Sequence, residues 1–211
     1  MIRFGPPPGT DRMVVVAVHG RGQDPSYLAE HLVRHVRADL AGVDDVAWLL
    51  PAAPRGSWYP GRFLDPVADN QPDLDAALAT IDAIAAELAA AGTADESIVW
   101  AGFSQGACLV TEWTARNARR WGGLVALTGG LIGPPGTAWC IPPAFGGMPA
   151  YFGVSARDVW VPVWRVEETV AAFVAARADV EFDTFPDAEH VIRASEVARV
   201  VELLNRVRAG S

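Results

Sequence analysis

Lysine is absent from this chain of 211 residues, whose 17 basic side chains are all arginine. A Schiff-base or lysine-nucleophile mechanism is excluded by that fact alone. Cysteine is nearly absent as well: Cys108 and Cys140 stand alone and far apart. Two such residues supply neither a disulfide framework nor the paired spacing of a zinc site. No apolar run approaches the ~20 residues of a membrane-spanning helix, so membrane insertion is not expected. The start, Met1 to Pro8, is broken by three prolines before a signal-type apolar stretch can form, and a cytoplasmic protein is expected. A basic stripe is also missing. The formal net charge is −8 with scattered acids, so nucleic acid is not an expected partner.

What remains is an ordinary globular composition, 51% hydrophobic and 20% charged. Its length suits one domain over residues 1–211 with a single large core. Short apolar runs alternate with longer amphipathic ones. The β-branched run 13–19 lacks polar alternation and reads as a strand buried on both faces of a parallel sheet. A helix is predicted over 27–40, with Ser26 as its N-cap and Leu28, Leu32, Val36 and Leu40 on one face. Further strands are predicted over 46–50, 98–101, 123–127, 150–154 and 180–185. Further helices are predicted over 74–91, 105–119, 166–178 and 196–208. This alternation predicts an α/β fold: a mostly parallel twisted sheet with right-handed crossovers and helices on both faces. Two connections, 51–72 and 128–149, are too long and too aromatic to be mere links. In a parallel sheet they would emerge at the carboxyl edge, where ligands bind.

The chemistry starts at Gly102-Phe103-Ser104-Gln105-Gly106, directly after the apolar run Ser97 to Ala101 and directly before Ala107-Cys108-Leu109-Val110. Strand, Gly-x-Ser-x-Gly and helix together describe a nucleophile elbow. The glycines avoid collisions in a crowded turn, and the serine stands at a helix N-terminus where developing negative charge is favoured. A serine hydroxyl needs a base, and the base needs an orienting acid. There are four histidines. His19 ends the first strand. His31 and His35 share the first helix and have the i, i+4 spacing of zinc ligands. They lack the intervening glutamate of a His-Glu-x-x-His helix and an evident third ligand, so they read as solvated. Only His190, after the last strand, satisfies the chain order nucleophile, acid, base.

For the acid, Asp158 follows a strand end in Tyr151 to Pro162 and is the position of choice, with Asp183 and Asp187 as competitors on the segment that already carries the base. Two backbone donors are expected for an oxyanion: the amide of Gln105, and that of Arg21 in the glycine-flanked loop His19-Gly20-Arg21-Gly22. Trp58, Tyr59, Trp139 and Trp160 are candidates for the substrate pocket. The arrangement calls for no metal and no cofactor.

With these residues in place the chain resembles the phospholipase/carboxylesterase family of α/β-hydrolases, the group that includes acyl-protein thioesterases. The resemblance rests on His19-Gly20-x-Gly22, Pro51-Ala52-Ala53-Pro54 with Trp58-Tyr59 beyond it, Gly102 to Ala107, Asp158-x-x-Val161-Pro162 and His190. It covers nearly the whole chain in order. It implies an α/β-hydrolase fold, a Ser104–His190–Asp158 triad and an oxyanion hole from the Arg21 and Gln105 amides. Two departures are visible: the stretch before the acid reads Gly153-Val154-Ser155 instead of the family's His-Gly-Asp, and Arg21 stands where the family more often has an apolar residue.

The expected activity is hydrolysis of carboxylic esters, or thioesters, of small or medium acyl groups through an acyl-enzyme, with a small-molecule ester as partner. A lactone or dienelactone hydrolase acting on anionic substrates, with Arg21, Arg55 and Arg62 near the site, is the alternative enzyme. A ligand-binding module on the same fold is the alternative outside enzymes. Oligomeric state is left open.

Overall fold

The structure, a computed structural model, describes residues 1–9 and 13–210. In chain order its elements are β1 (Ile2–Phe4), β2 (Val14–Val18), α1 (25–39), β3 (Ala47–Leu50), α2 (Asp73–Ala90), β4 (Ile98–Phe103), α3 (Gln105–Arg116), β5 (Gly123–Leu127), β6 (Pro149–Ser155), α4 (Val163–Ala175), β7 (Asp179–Phe185) and α5 (Ala194–Ala209). The strands form one sheet in the order β1-β3-β2-β4-β5-β6-β7, and every pairing except the antiparallel β1·β3 edge is parallel. This is the α/β-hydrolase fold.

Strand residues alternate between two cores. Val14, Val16, Val18 and Trp100 face the layer of α2, α3 and α4, where Leu74, Ile81, Trp113 and Phe173 pack. Val15, Ala17, Val99, Ala101 and Phe103 face α1 and α5, through Leu28, Leu32, Val36, Val200 and Leu204. Because both sides are covered, β2 is an unbroken Val-Val-Val-Ala-Val run with every residue buried. Trp100, Trp113 and Trp121 interlock at ring separations of 4.5, 5.5 and 5.3 Å, filling the first core with large rigid side chains.

Several details depart from the sequence reading. The first helix is capped by Asp24, whose carboxylate accepts from the Ser26 amide at 2.7 Å, with Pro25 as the first helical residue. Ser26 is therefore not the cap; proline, with no N–H to lose, opens the helix two residues earlier. Within α1, a π-helical Ala29–Val33 lies between α-helical Pro25–Leu28 and Arg34–Asp39. β1 is an addition: three residues are too few to show a periodicity, yet Ile2 to Phe4 pair with Leu50 to Trp48 at the sheet edge. α3 stops at Arg116 and α4 at Ala175, each about three residues before the expected end.

The chain leaves β2 for β3 on one side and later continues from β4 toward β7 on the other. Strand order therefore reverses between β2 and β4, and in open α/β sheets the crevice at such a switch point is where ligands bind.

Candidate active site

Ser104 sits at that switch point, one residue beyond β4 and immediately before α3. Its backbone is held at φ 55°, ψ −121°, a conformation costly for a side-chain-bearing residue and sustained only by surroundings that leave no alternative. Those surroundings are backbone. A Cβ on Gly106 would lie 2.1 Å from the Val18 carbonyl oxygen, and one on Gly102 would lie 2.5 Å from the Gly106 oxygen. The serine amide is tied to the Leu127 carbonyl at 2.9 Å and its carbonyl accepts from the Cys108 amide at 3.0 Å.

His190, in the loop after β7, places Nε2 2.8 Å from Ser104 Oγ and Nδ1 2.7 Å from Asp158 Oδ2. The Asp158 side chain is fully buried. Its other oxygen accepts from the Trp160 and Val161 amides at 2.8 and 2.9 Å. Burial alone would raise this carboxyl, but the hydrogen bonds from His190, Val161 and Trp160 more than offset it and hold the group below the ordinary carboxylate range. The competing acids are engaged elsewhere: Asp183 with Tyr151 and Arg199, Asp187 with Arg193.

The loop bearing His190 is fastened by side chains the sequence reading did not single out. Ser155 Oγ donates to the Glu189 carbonyl at 2.6 Å, while the Ser155 carbonyl accepts from the Asp158 amide at 3.1 Å. One residue thus touches the segments carrying both Asp158 and His190. Arg193 donates to Ser155 Oγ at 2.9 Å and to Asp187 at 2.6 Å, and lies 4.5 Å over the Phe185 ring. No sequence signal separates Ser155 and Arg193 from other surface-type residues; their partners lie across the loop, not at a helical or strand spacing.

On the opposite wall, a Cβ on Gly20 would come 3.2 Å from the Ser104 Cβ, so the loop after β2 passes directly against the serine. Among the described residues, neither the Arg21 nor the Gln105 amide donates a hydrogen bond. His19 is buried and does not face the serine. Its Nδ1 donates to the Gly20 carbonyl at 2.8 Å and its Nε2 accepts from the Ala53 amide at 3.1 Å, while its own carbonyl accepts from the Trp58 indole at 2.8 Å. Burial lowers its pKa, in keeping with the neutral ring this bonding requires. Gln105 also works through its side chain: Oε1 accepts from the Trp58 amide at 3.0 Å and Nε2 donates to the Tyr59 carbonyl at 2.8 Å. The elbow, the loop after β2 and the 51–72 loop are locked together this way.

A cavity of about 490 Å³ opens at Ser104, bounded by Tyr59, Phe63, Trp160, Val161 and the side chains of Arg21 and Arg62, among others. Tyr59 and Trp160 thus border the serine. Trp58 instead is buried and lines a neighbouring cavity, and Trp139 lies half-buried with the Arg165 guanidinium 4.7 Å over its ring. Arg165 donates to the carbonyls of Leu131, Gly133 and Pro134, which shapes the 128–149 loop from beneath. Cys108 forms part of the cavity floor, and burial pushes its thiol up to about 12, so it is un-ionised near neutral pH. His31 and His35 are exposed, and the His31 ring lies tilted against Tyr27 with centroids 4.3 Å apart. Among the described residues no three metal-binding side chains converge, and no helix is long and apolar enough to cross a membrane.

Comparison with known proteins follows this geometry. The sequence profile of the phospholipase/carboxylesterase family matches residues 6–208. Among solved structures, a phospholipase/carboxylesterase from Dyadobacter fermentans is 37% identical with a TM-score of 0.84, over 98% of this chain and 94% of that one. Esterase PE8 is 20% identical (TM-score 0.77, 98% and 97% covered), and Arabidopsis thaliana SOBER1 is 20% identical (TM-score 0.76, 93% and 99% covered). These two share the fold. No curated protein is matched.

Proposed function

Since this chain belongs to the phospholipase/carboxylesterase family of serine hydrolases, we propose that it cleaves carboxylic esters of small or medium acyl groups, and the corresponding thioesters, through a Ser104–His190–Asp158 triad. Ester hydrolysis is the chemistry of the family; the roles of these three residues are our reading. What carries it is the continuous pair of hydrogen bonds through one imidazole, 2.8 Å to the serine and 2.7 Å to the aspartate.

In this mechanism His190 Nε2 takes the Ser104 proton as Oγ attacks the ester carbonyl. The carbonyl oxygen becomes an oxyanion held by the Gln105 and Arg21 amides, at the N-terminal end of α3. Collapse expels the alcohol, which receives the proton from His190 and leaves an acyl-serine. Water, deprotonated by His190, then attacks the acyl-serine and releases the acid. Asp158 stays ionised throughout, fixing the tautomer and stabilising the imidazolium. A low carboxyl pKa supports that role. Two pre-aimed amides are worth on the order of 3 kcal/mol of barrier each.

The test is fluorophosphonate labelling together with p-nitrophenyl acetate turnover. Labelling and turnover should both vanish in Ser104→Ala; a variant that still turned over at the wild-type rate would end the reading. One observation favours a second reading. Arg62 borders the cavity, and its guanidinium makes no ion pair among the described residues, which suits an ester carrying a carboxylate. A preference for anionic over neutral esters that disappears in Arg62→Ala would support it.

A further inference from the structure

A second cavity, about 370 Å³, lies beside the one at Ser104 and contains none of the three residues assigned to the triad. Pro54, Trp58, Ala76 and Ala77 give it apolar walls, and Arg55 and Asp73 border it. Arg21, Tyr59 and Pro60 line both cavities and form the partition between them. Tyr59 and Pro60 belong to the 51–72 loop. Arg21 reaches the partition from the loop after β2 and ties it shut: its guanidinium donates to the Pro60 carbonyl at 2.6 Å and to the Gly61 carbonyl, and lies 5.8 Å from the Tyr59 ring centre. No carboxylate pairs with it among the described residues. Its two terminal nitrogens are each tied to a backbone carbonyl, which holds the exposed side chain in place along the partition.

We propose that Arg21 sets the acyl-chain preference: its side chain helps separate the cavity at Ser104 from the second cavity and so favours shorter over longer acyl esters. This inference rests on Ser104 being the nucleophile. Behind the partition is apolar room that a longer chain would enter, and each methylene buried there is worth roughly a fourfold gain in kcat/KM. Removing the Arg21 side chain opens its share of the partition, leaves Tyr59 and Pro60 on either side, and keeps its backbone amide in place.

The experiment compares kcat/KM for p-nitrophenyl butyrate and octanoate, both kept monomeric. The ratio is the readout, since any disturbance of the oxyanion donor slows both esters alike and cancels. In Arg21→Ala the octanoate-to-butyrate ratio should rise at least tenfold, the gain from burying about two of octanoate's four extra methylenes, and adding Ala76→Phe, which fills the second cavity from an exposed helix position, should bring it back toward wild type. A steadying role for Arg21 alone would lower both rates at an unchanged ratio, and that result overturns the proposal. Should Arg21→Ala fail to fold, Arg21→Met, which keeps the aliphatic stem and loses the donors, is expected to raise the ratio by at least threefold; no rise there counts against it equally. Persistent turnover in Ser104→Ala would instead sink the assignment of the nucleophile and leave the shape of the cavities as it is.

Discussion

The two halves of the site are held in place by opposite means. Ser104 is positioned by atoms that are missing: without Gly102 and Gly106 the turn collides with the backbone of β2 and α3. His190 and Asp158 are positioned by atoms that are present, the hydroxyl of Ser155, the guanidinium of Arg193 and the amides of Trp160 and Val161. The first device is steric and insensitive to pH, and it fails all at once. The second is a set of hydrogen bonds, each modest, that loosens in steps and responds to titration.

The largest expected effect tests the hydrogen-bonded half at its centre. Asp158→Asn keeps the shape but removes the charge and tautomer control, so kcat should fall by about 10⁴, with a smaller fall in melting temperature at neutral pH as the ionised carboxylate's stabilisation is lost. A loss below tenfold would mean that this carboxylate does not orient the base. On the steric half, Gly106→Ala places a methyl 2.1 Å from the Val18 oxygen. It should cost several kcal/mol, about 3 or more, because the backbone on both sides is buried. Chemical denaturation would show it, and a stability within about 0.5 kcal/mol of wild type would contradict the steric account.

A third prediction sharpens the contrast through pH. Glu196, which caps α5 behind the His190 loop by accepting from the Arg193 amide at 2.9 Å, is buried, and its other oxygen has no partner among the described residues. Burial pushes its pKa up to about 7 from 4.5. The folded state therefore holds this proton more tightly than the unfolded chain does, and stability falls as pH rises between those two values, by up to about 3 kcal/mol. Glu196→Gln should flatten that slope: equal melting temperatures near pH 4.5 and a higher one for the variant at pH 8. Asp158 works in the opposite sense. Its lowered pKa gives a stabilisation present above the unfolded value and lost as pH falls through the folded one. The smallest effect is Ser155→Ala, which removes one clasp on the base loop. About tenfold in kcat is expected with KM nearly constant, and Ser155→Thr should recover most of it.

Much of the molecule was legible in the one-dimensional pattern. Unbroken β-branched runs mark strands covered on both faces, and the Gly-x-Ser-x-Gly string marks a strand that turns into a helix around a hydroxyl. Scarcity helped too: among four histidines only His190 lies after the last strand, and it is the one whose ring meets Ser104. The aromatic residues were harder to place. Tyr59 and Trp160 border the cavity at the serine, whereas Trp58 turns its indole to the His19 carbonyl and Trp139 lies under Arg165. All four sit in loops of similar composition, and Trp58 is held by partners 39 and 47 positions away.

The sequence by itself determined the alternation of strands and helices from residue 13 onward, the elbow and the three residues, Ser104, His190 and Asp158, that are candidates for nucleophile, base and acid. Those depend on local sterics, on side-chain periodicity and on which chemical groups exist at all. Only the tertiary structure decided that Arg21 closes a partition, that Ser155 and Arg193 clasp the base loop, that Glu196 carries an orphaned oxygen, and that Ile2 to Phe4 add an edge strand. Each of those is a hydrogen bond or a close approach between segments distant along the chain, and such pairings are fixed by how the sheet and its two helical layers pack, which no local spacing encodes.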